Sequence, residues 1–109
     1  MKVWIDITNS PHASLFTLMA RTDPSIKGGG GVSAFIVDAK SPGISLGLPD
    51  KKMGQRGAHT CDVNFDNVRV PAANLIGGKE GQGFKMAMRV LDKGRIHIVS
   101  RFGFYEFNA

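Results

Sequence analysis

Residues 51–76, KKMGQRGAHTCDVNFDNVRVPAANLI, restrict most tightly what this chain can fold into. His59, Cys61, Val63 and Phe65 share one parity, and Thr60, Asp62 and Asn64 take the other. Apolar and polar residues alternating with a period of two mark a strand with one wet face. A glycine-bracketed basic turn, Gly54-Gln55-Arg56-Gly57, precedes it, and Asp66-Asn67 supplies turn chemistry after it. Val68-Arg69-Val70 resumes the strand pattern, and Pro71 stops it because proline has no N–H to give a ladder.

The rest of the chain repeats this texture. Residues 3–8 read as a strand, with Val3, Ile5 and Ile7 on one face and Trp4, Asp6 and Thr8 on the other. Asn9-Ser10-Pro11-His12 is a turn cluster. Residues 15–20 are an apolar run, most simply a strand buried on both faces, though its periodicity also fits a short helix. Residues 22–31 form a loop ending in four glycines. They lack the Gly-Lys-Ser/Thr ending and following helix of a phosphate-binding loop, and a strand pattern follows at 32–37, so a hairpin loop is expected. Residues 44–48 alternate again. The expected fold is mainly β: a small antiparallel barrel or sandwich of five to six strands, followed by one C-terminal α-helix.

The pattern changes after a glycine-rich loop at residues 77–83. Phe84, Ala87, Met88, Leu91, Arg95 and Ile98 recur at three- and four-residue intervals, one stripe of an amphipathic helix. That helix is expected to begin near Gln82 or Gly83 and to run into the mid-90s, where β-branched Ile96, Ile98 and Val99 lower its propensity. Lys85, Arg89 and Lys93 line another face. Much of the net charge of +5 lies in this segment, which fits a solvated helix face or a phosphate-bearing partner.

No run approaches the roughly 20 apolar residues of a membrane span. One cysteine, Cys61, excludes an internal disulfide and suits a reducing cytoplasm. His12, His59 and His97 lie far apart, and His59 with Cys61 gives only two ligands on one face, so no metal site is expected. No nucleophilic triad, no acid–base pair of carboxylates and no nucleic-acid-binding motif is present, so no catalytic residue is assigned.

Read in order, Trp4-Ile5…Thr8-Asn9, Val32-Ser33-Ala34-Phe35-Ile36-Val37, Pro42-Gly43-Ile44-Ser45-Leu46-Gly47, Lys51-Lys52-Met53-Gly54-Gln55-Arg56-Gly57, Val70-Pro71-Ala72-Ala73-Asn74-Leu75-Ile76-Gly77, Gly81-Gln82-Gly83-Phe84-Lys85 and Leu91-Asp92-Lys93-Gly94-Arg95 resemble the acyl-CoA dehydrogenases over about 90 of 109 residues. The resemblance implies that residues 1–78 are that family's middle β-domain, shortened at its N-terminus, and that 79–109 begin its C-terminal helical domain. It implies FAD as cofactor, with Trp4, Ile5 and Thr8 on the flavin-binding strand, Trp4 near the ring and the Thr8 hydroxyl on its reactive edge. It places Asp92 and Arg95 along the acyl-CoA channel. The parent activity would be α,β-dehydrogenation of an acyl-CoA thioester in fatty acid metabolism, by a homo-oligomer in the cytoplasm.

Two departures qualify these expectations. Asp6 and Ile7 stand as an insertion between the family's Trp-Ile and Thr-Asn, which a β-bulge could absorb. The family's catalytic Glu is absent; its position in some branched-chain members, two residues after the Asp, is Gly94 here. The chain is therefore expected to be inactive alone. The alternative is a non-catalytic β-domain that binds a partner subunit or a polyanion.

Overall fold

The computed structural model describes the backbone of residues 2–106 and the side chains of residues 7–98. Five strands form two sheets: β1 (Lys2–Thr8), β2 (Leu15–Arg21), β3 (Val32–Asp38), β4 (Ile44–Leu46) and β5 (Thr60–Phe65). One helix, α1 (Gly83–Glu106), ends the described chain. The three-stranded antiparallel sheet has the order β1-β5-β4, and β2 pairs with β3. Among the described residues the two sheets do not close into a barrel; the fold is mainly β, followed by one helix.

The chain divides into two compact units. One holds the residues up to Leu18 together with Ile36–Asn74; the other holds Met19–Phe35 and the residues from Leu75 onward.

In the first unit β5 is the central strand, as its alternation requires. Cys61 and Val63 are buried, while Thr60, Asp62 and Asn64 are half-exposed. Phe16 of β2 meets Phe65 of β5 edge to face at 6.3 Å, so the two sheets touch through aromatic rings. The Ser41-Pro42-Gly43 turn brings the chain close to Asp66. Gly43 has φ 93, and its carbonyl accepts from Asp66 N at 2.8 Å, a conformation and an approach that suit glycine.

In the second unit the glycine run is a short 3-10 turn, Gly28–Gly31. Arg21 fixes this loop. Its guanidinium donates to the carbonyls of Ile26 at 2.7 Å and Gly28 at 3.1 Å. Ser33, fully buried on β3, ties two loops at once. Its hydroxyl meets Thr22 Oγ1 at 2.7 Å and accepts from Gly81 N at 2.9 Å. Gly83, the first residue of α1, lies against the backbone of Ser33 and Ala34.

Four expectations need correction. Residues 68–70 lie outside the strands; three residues ending at Pro71 offer a ladder little to hold. β2 is a strand but is not buried on both faces. Leu15, Thr17 and Arg21 are exposed, because a two-stranded sheet cannot cover both sides of its members. The helix runs past the mid-90s to Glu106, since β-branched residues lower helix propensity by only a few tenths of a kcal/mol each, roughly. Its apolar stripe forms but is not covered within its unit: Phe84, Met88, Leu91 and Ile98 are all exposed.

Candidate functional site

The end of β1 and the start of β5 form the most organised polar cluster of the first unit. Thr8 pairs with Thr60, and Asn9 N donates to the His59 carbonyl at 2.7 Å. Asn9 adopts the left-handed conformation at φ 60, which Asn tolerates well. This sharp exit from the strand turns Ser10 inward. Its hydroxyl is within 2.6 Å of the Ile7 carbonyl, 3.3 Å of the Cys61 carbonyl and 3.1 Å of Cys61 Sγ. With Ser10 only 1% exposed, these bonds replace the water it loses. The next turn residue, His12, then reaches His59, Nε2 to Nδ1 at 3.2 Å. Thr8 itself is exposed, and its hydroxyl has no hydrogen-bond partner among the described residues.

The register of β1 against β5 decides what Thr8 can share with Trp4. Trp4 pairs with Val63, Ile7 with Cys61 and Thr8 with Thr60, with a shift between Trp4 and Ile7. Four steps along β1 therefore span three along β5, and the extra residue is a bulge. Val63 and Thr60 have opposite parity on their strand. Paired residues of an antiparallel ladder share a face, so the positions of Trp4 and Thr8 fall on opposite faces. The expectation that both lie on one side assumed unbroken alternation, and the bulge breaks it. The side chains of Trp4 and Ile5 lie outside the described residues.

Beside His59 is an open depression of about 400 Å³ lined by Asp50, Lys51, Lys52, Arg56 and His59. Its charges are partly engaged. Lys52 donates its ammonium to the Ala58 carbonyl, and Asp50 accepts the Thr60 hydroxyl at 2.7 Å.

Asp92 and Arg95 lie in the second unit, one helical turn apart on α1. They form an ion pair at 3.7 Å, with the side chains 70% and 76% exposed respectively. An exposed pair of this kind is worth about 0–1 kcal/mol, so either partner can turn to a ligand at little cost. Arg89, Val90, Asp92 and Lys93 line an open depression of about 510 Å³ on the same helix. Gly94 has nothing within 4 Å of where a Cβ would stand.

The sequence profile of the family described as acyl-CoA dehydrogenase, middle domain, matches residues 2–68. The chain belongs to the acyl-CoA dehydrogenase family. It is 48% identical over 88 residues to the cyclohexane-1-carbonyl-CoA dehydrogenase of Geobacter metallireducens, covering 81% of this chain and 22% of that protein. It is 44% identical over 97 residues to an acyl-CoA dehydrogenase of Bacillus subtilis, covering 89% and 25%. Among solved structures, the butyryl-CoA dehydrogenase of Megasphaera elsdenii superposes with a TM-score of 0.80 at 43% identity, covering 87% of this chain and 24% of that one. The chain thus spans about a quarter of the length of the acyl-CoA dehydrogenases it matches.

The residues present fit the family's flavin only in part. Thr8 offers an exposed hydroxyl at the end of a fixed strand, suited to a hydrogen bond with a ring edge. In this register the positions of Trp4 and Thr8 stand on opposite faces of β1. Reading from the residues alone also missed the His12–His59 contact. The two are 47 residues apart, and only the turn signal at residues 9–12 bears on where His12 goes.

Proposed function

We propose that this chain supplies the flavin-side β-domain, residues 1–78, and the first helix of the C-terminal domain, residues 79–109, of an acyl-CoA dehydrogenase that oxidises an acyl-CoA thioester between Cα and Cβ. The observation that carries the reading is the family match across residues 2–68, supported by a superposition at TM-score 0.80. FAD, when bound, would accept the β-hydride while a base takes the α-proton.

In this reading the Thr8 hydroxyl donates to the flavin edge from the end of β1. Trp4 and Ile5 belong to the same flavin-binding strand. Asp92 and Arg95, freed from their exposed pair, orient the acyl-CoA along α1. None of these side chains is a base suited to the α-proton, and Gly94 stands where some branched-chain members carry Glu. Catalysis needs its groups held in one geometry, so the chain alone should not turn over. The parent assembly is proposed to be a homo-oligomer of fatty-acyl metabolism in the cytoplasm. Among the described residues no helix is long and apolar enough to cross a membrane.

Three measurements test the reading. Acyl-CoA-dependent bleaching of an electron-accepting dye should not exceed a heat-killed control; activity above it would refute the assignment of an incomplete site. Free FAD should bind weakly, with flavin fluorescence as the readout, and the Trp4→Ala plus Thr8→Val double variant should bind more weakly still. Micromolar or tighter binding that survives both changes would show that β1 is not the flavin contact. Polyanion binding without any flavin response would favour a non-catalytic binding domain instead.

A further inference from the structure

His12 and His59 meet at 3.2 Å through Nε2 and Nδ1, with ring centroids 5.0 Å apart and planes inclined by 70°. Both rings are exposed. Two nitrogens bound to one cation at about 2.05 Å stand about 2.9 Å apart at a right-angle bite and about 3.3 Å apart at a tetrahedral one. The observed separation falls between these values. A small turn of each ring, away from the line joining the two nitrogens, would aim both lone pairs at one point in solvent.

The backbone holds the two residues at this spacing without help from the rings. Asn9 N on the His59 carbonyl joins the two segments, and His12 N returns to the Asn9 carbonyl at 3.0 Å. Buried Ser10, between them in sequence, is bonded to Ile7 and Cys61. A site whose spacing is set before the ligand arrives loses less entropy on binding. No proton need leave the protein, because each ring can carry its N–H on the outward nitrogen.

We infer that His12 and His59 form a bidentate imidazole site for a late first-row divalent cation. Neutral imidazoles suit Cu²⁺, Ni²⁺ and Zn²⁺, whereas Mg²⁺ and Ca²⁺ take oxygen. Among the described residues no third His, Cys, Asp or Glu completes the group, so water fills the remaining positions. Cys61 is no ligand; it is buried, with its sulfur against Ser10 Oγ. Lys51, Lys52 and Arg56 in the adjoining depression oppose a cation, and Asp50 offsets part of their charge. The site therefore favours the cations that bond imidazole most strongly, in the order Cu²⁺, then Ni²⁺ and Zn²⁺. It is independent of the flavin reading, and flavin binding need not respond to it.

The test uses the untagged full chain and Ni²⁺, which does not oxidise the free thiol. Calorimetric titration should give one equivalent bound. His12→Gln, which still offers a hydrogen-bond donor to His59, and His59→Gln should each weaken binding at least tenfold. His97→Gln should leave it unchanged. In the unsubstituted chain, substoichiometric Ni²⁺ should broaden the ring-proton resonances of His12 and His59 first, which requires no variant to fold. Binding unaltered in both His12→Gln and His59→Gln, binding lost in His97→Gln, or broadening centred elsewhere would overturn the site.

Discussion

A Gly→Ala change made at two places on α1 should change stability in opposite directions. Gly94 lies inside the helix, and a Cβ there meets nothing within 4 Å. Only the backbone term remains, and alanine is favoured over glycine in a helix interior by about 0.8–1.0 kcal/mol. Gly94→Ala should therefore raise the midpoint of thermal unfolding by about 3–8 °C for a domain of this size. Gly83 differs because its Cβ would stand 2.6 Å from the Ser33 carbonyl carbon and 2.8 Å from Ala34 N. Those atoms belong to the backbone of β3, where both residues are buried, so no flexible side chain can give way. Gly83→Ala must displace either the helix start or the strand. The cost expected for overpacking of this kind is about 1–3 kcal/mol, which exceeds the propensity gain. Thermal and urea unfolding followed by circular dichroism at 222 nm measures both. Stabilisation by Gly83→Ala would refute the close packing of the helix start on β3. A null or negative effect of Gly94→Ala would show that the helix does not persist through this position in solution.

Other consequences can be checked separately. Ser10→Ala should destabilise the chain by about 1–3 kcal/mol in urea unfolding, since it leaves the Ile7 carbonyl without its hydroxyl donor; a near-neutral result would mean that water or a shifted backbone replaces the bond. The Ser25 hydroxyl and N–H donate to Asp23 and hold its carboxyl below the ordinary 3.8, so Ser25→Ala should bring the NMR titration of Asp23 back up toward that value. Because the folded pKa is the depressed one, this bonding contributes stability above the unfolded pKa and loses it as the pH falls through the folded pKa. Arg21→Met should release the 26–31 loop and speed its amide exchange, with little effect on β5; unchanged exchange in the loop would show that the glycine turn holds without the guanidinium.

Where burial imposes a period on the residues, the fold was readable. β5 alternates because one of its faces is covered, and its limits follow the pattern within a residue or two; β3 keeps its expected limits although adjacent Ser33 and Ala34 are both buried. The helix start was readable because the glycine-rich loop at 77–83 gives way there to a helical spacing, with Gly83 required where α1 meets β3. Its end was not, because Ile96, Ile98 and Val99 are individually weak opponents of a helix already nucleated upstream. The two-sided burial expected of β2 failed because an apolar run reports hydrophobicity, not how many neighbours the strand acquires. The long-range ties in the second unit, such as Ser33 holding Thr22 and Gly81, follow from no local pattern.

The candidate site was less readable than the fold, and β1 shows why. Sequence spacing counts residues, but facing depends on ladder steps. Read as an insertion into the family's Trp-Ile-Thr, the two residues Asp6 and Ile7 would look harmless, because an even insertion preserves parity along one strand. Against β5, however, the ladder passes over one residue of β1 in a bulge and keeps three steps between Trp4 and Thr8. An odd count puts the two positions on different faces, although their separation in sequence is even. Removing one residue between them would merely move the mismatch if the bulge persisted. Removing both, to leave Trp4 and Thr8 two steps apart on a regular ladder, is the change that would restore a shared face. The flavin contact depends on parity across the bulge, whereas the His12–His59 pair depends on the Asn9 turn and the Ser10 anchor, which lie beyond it.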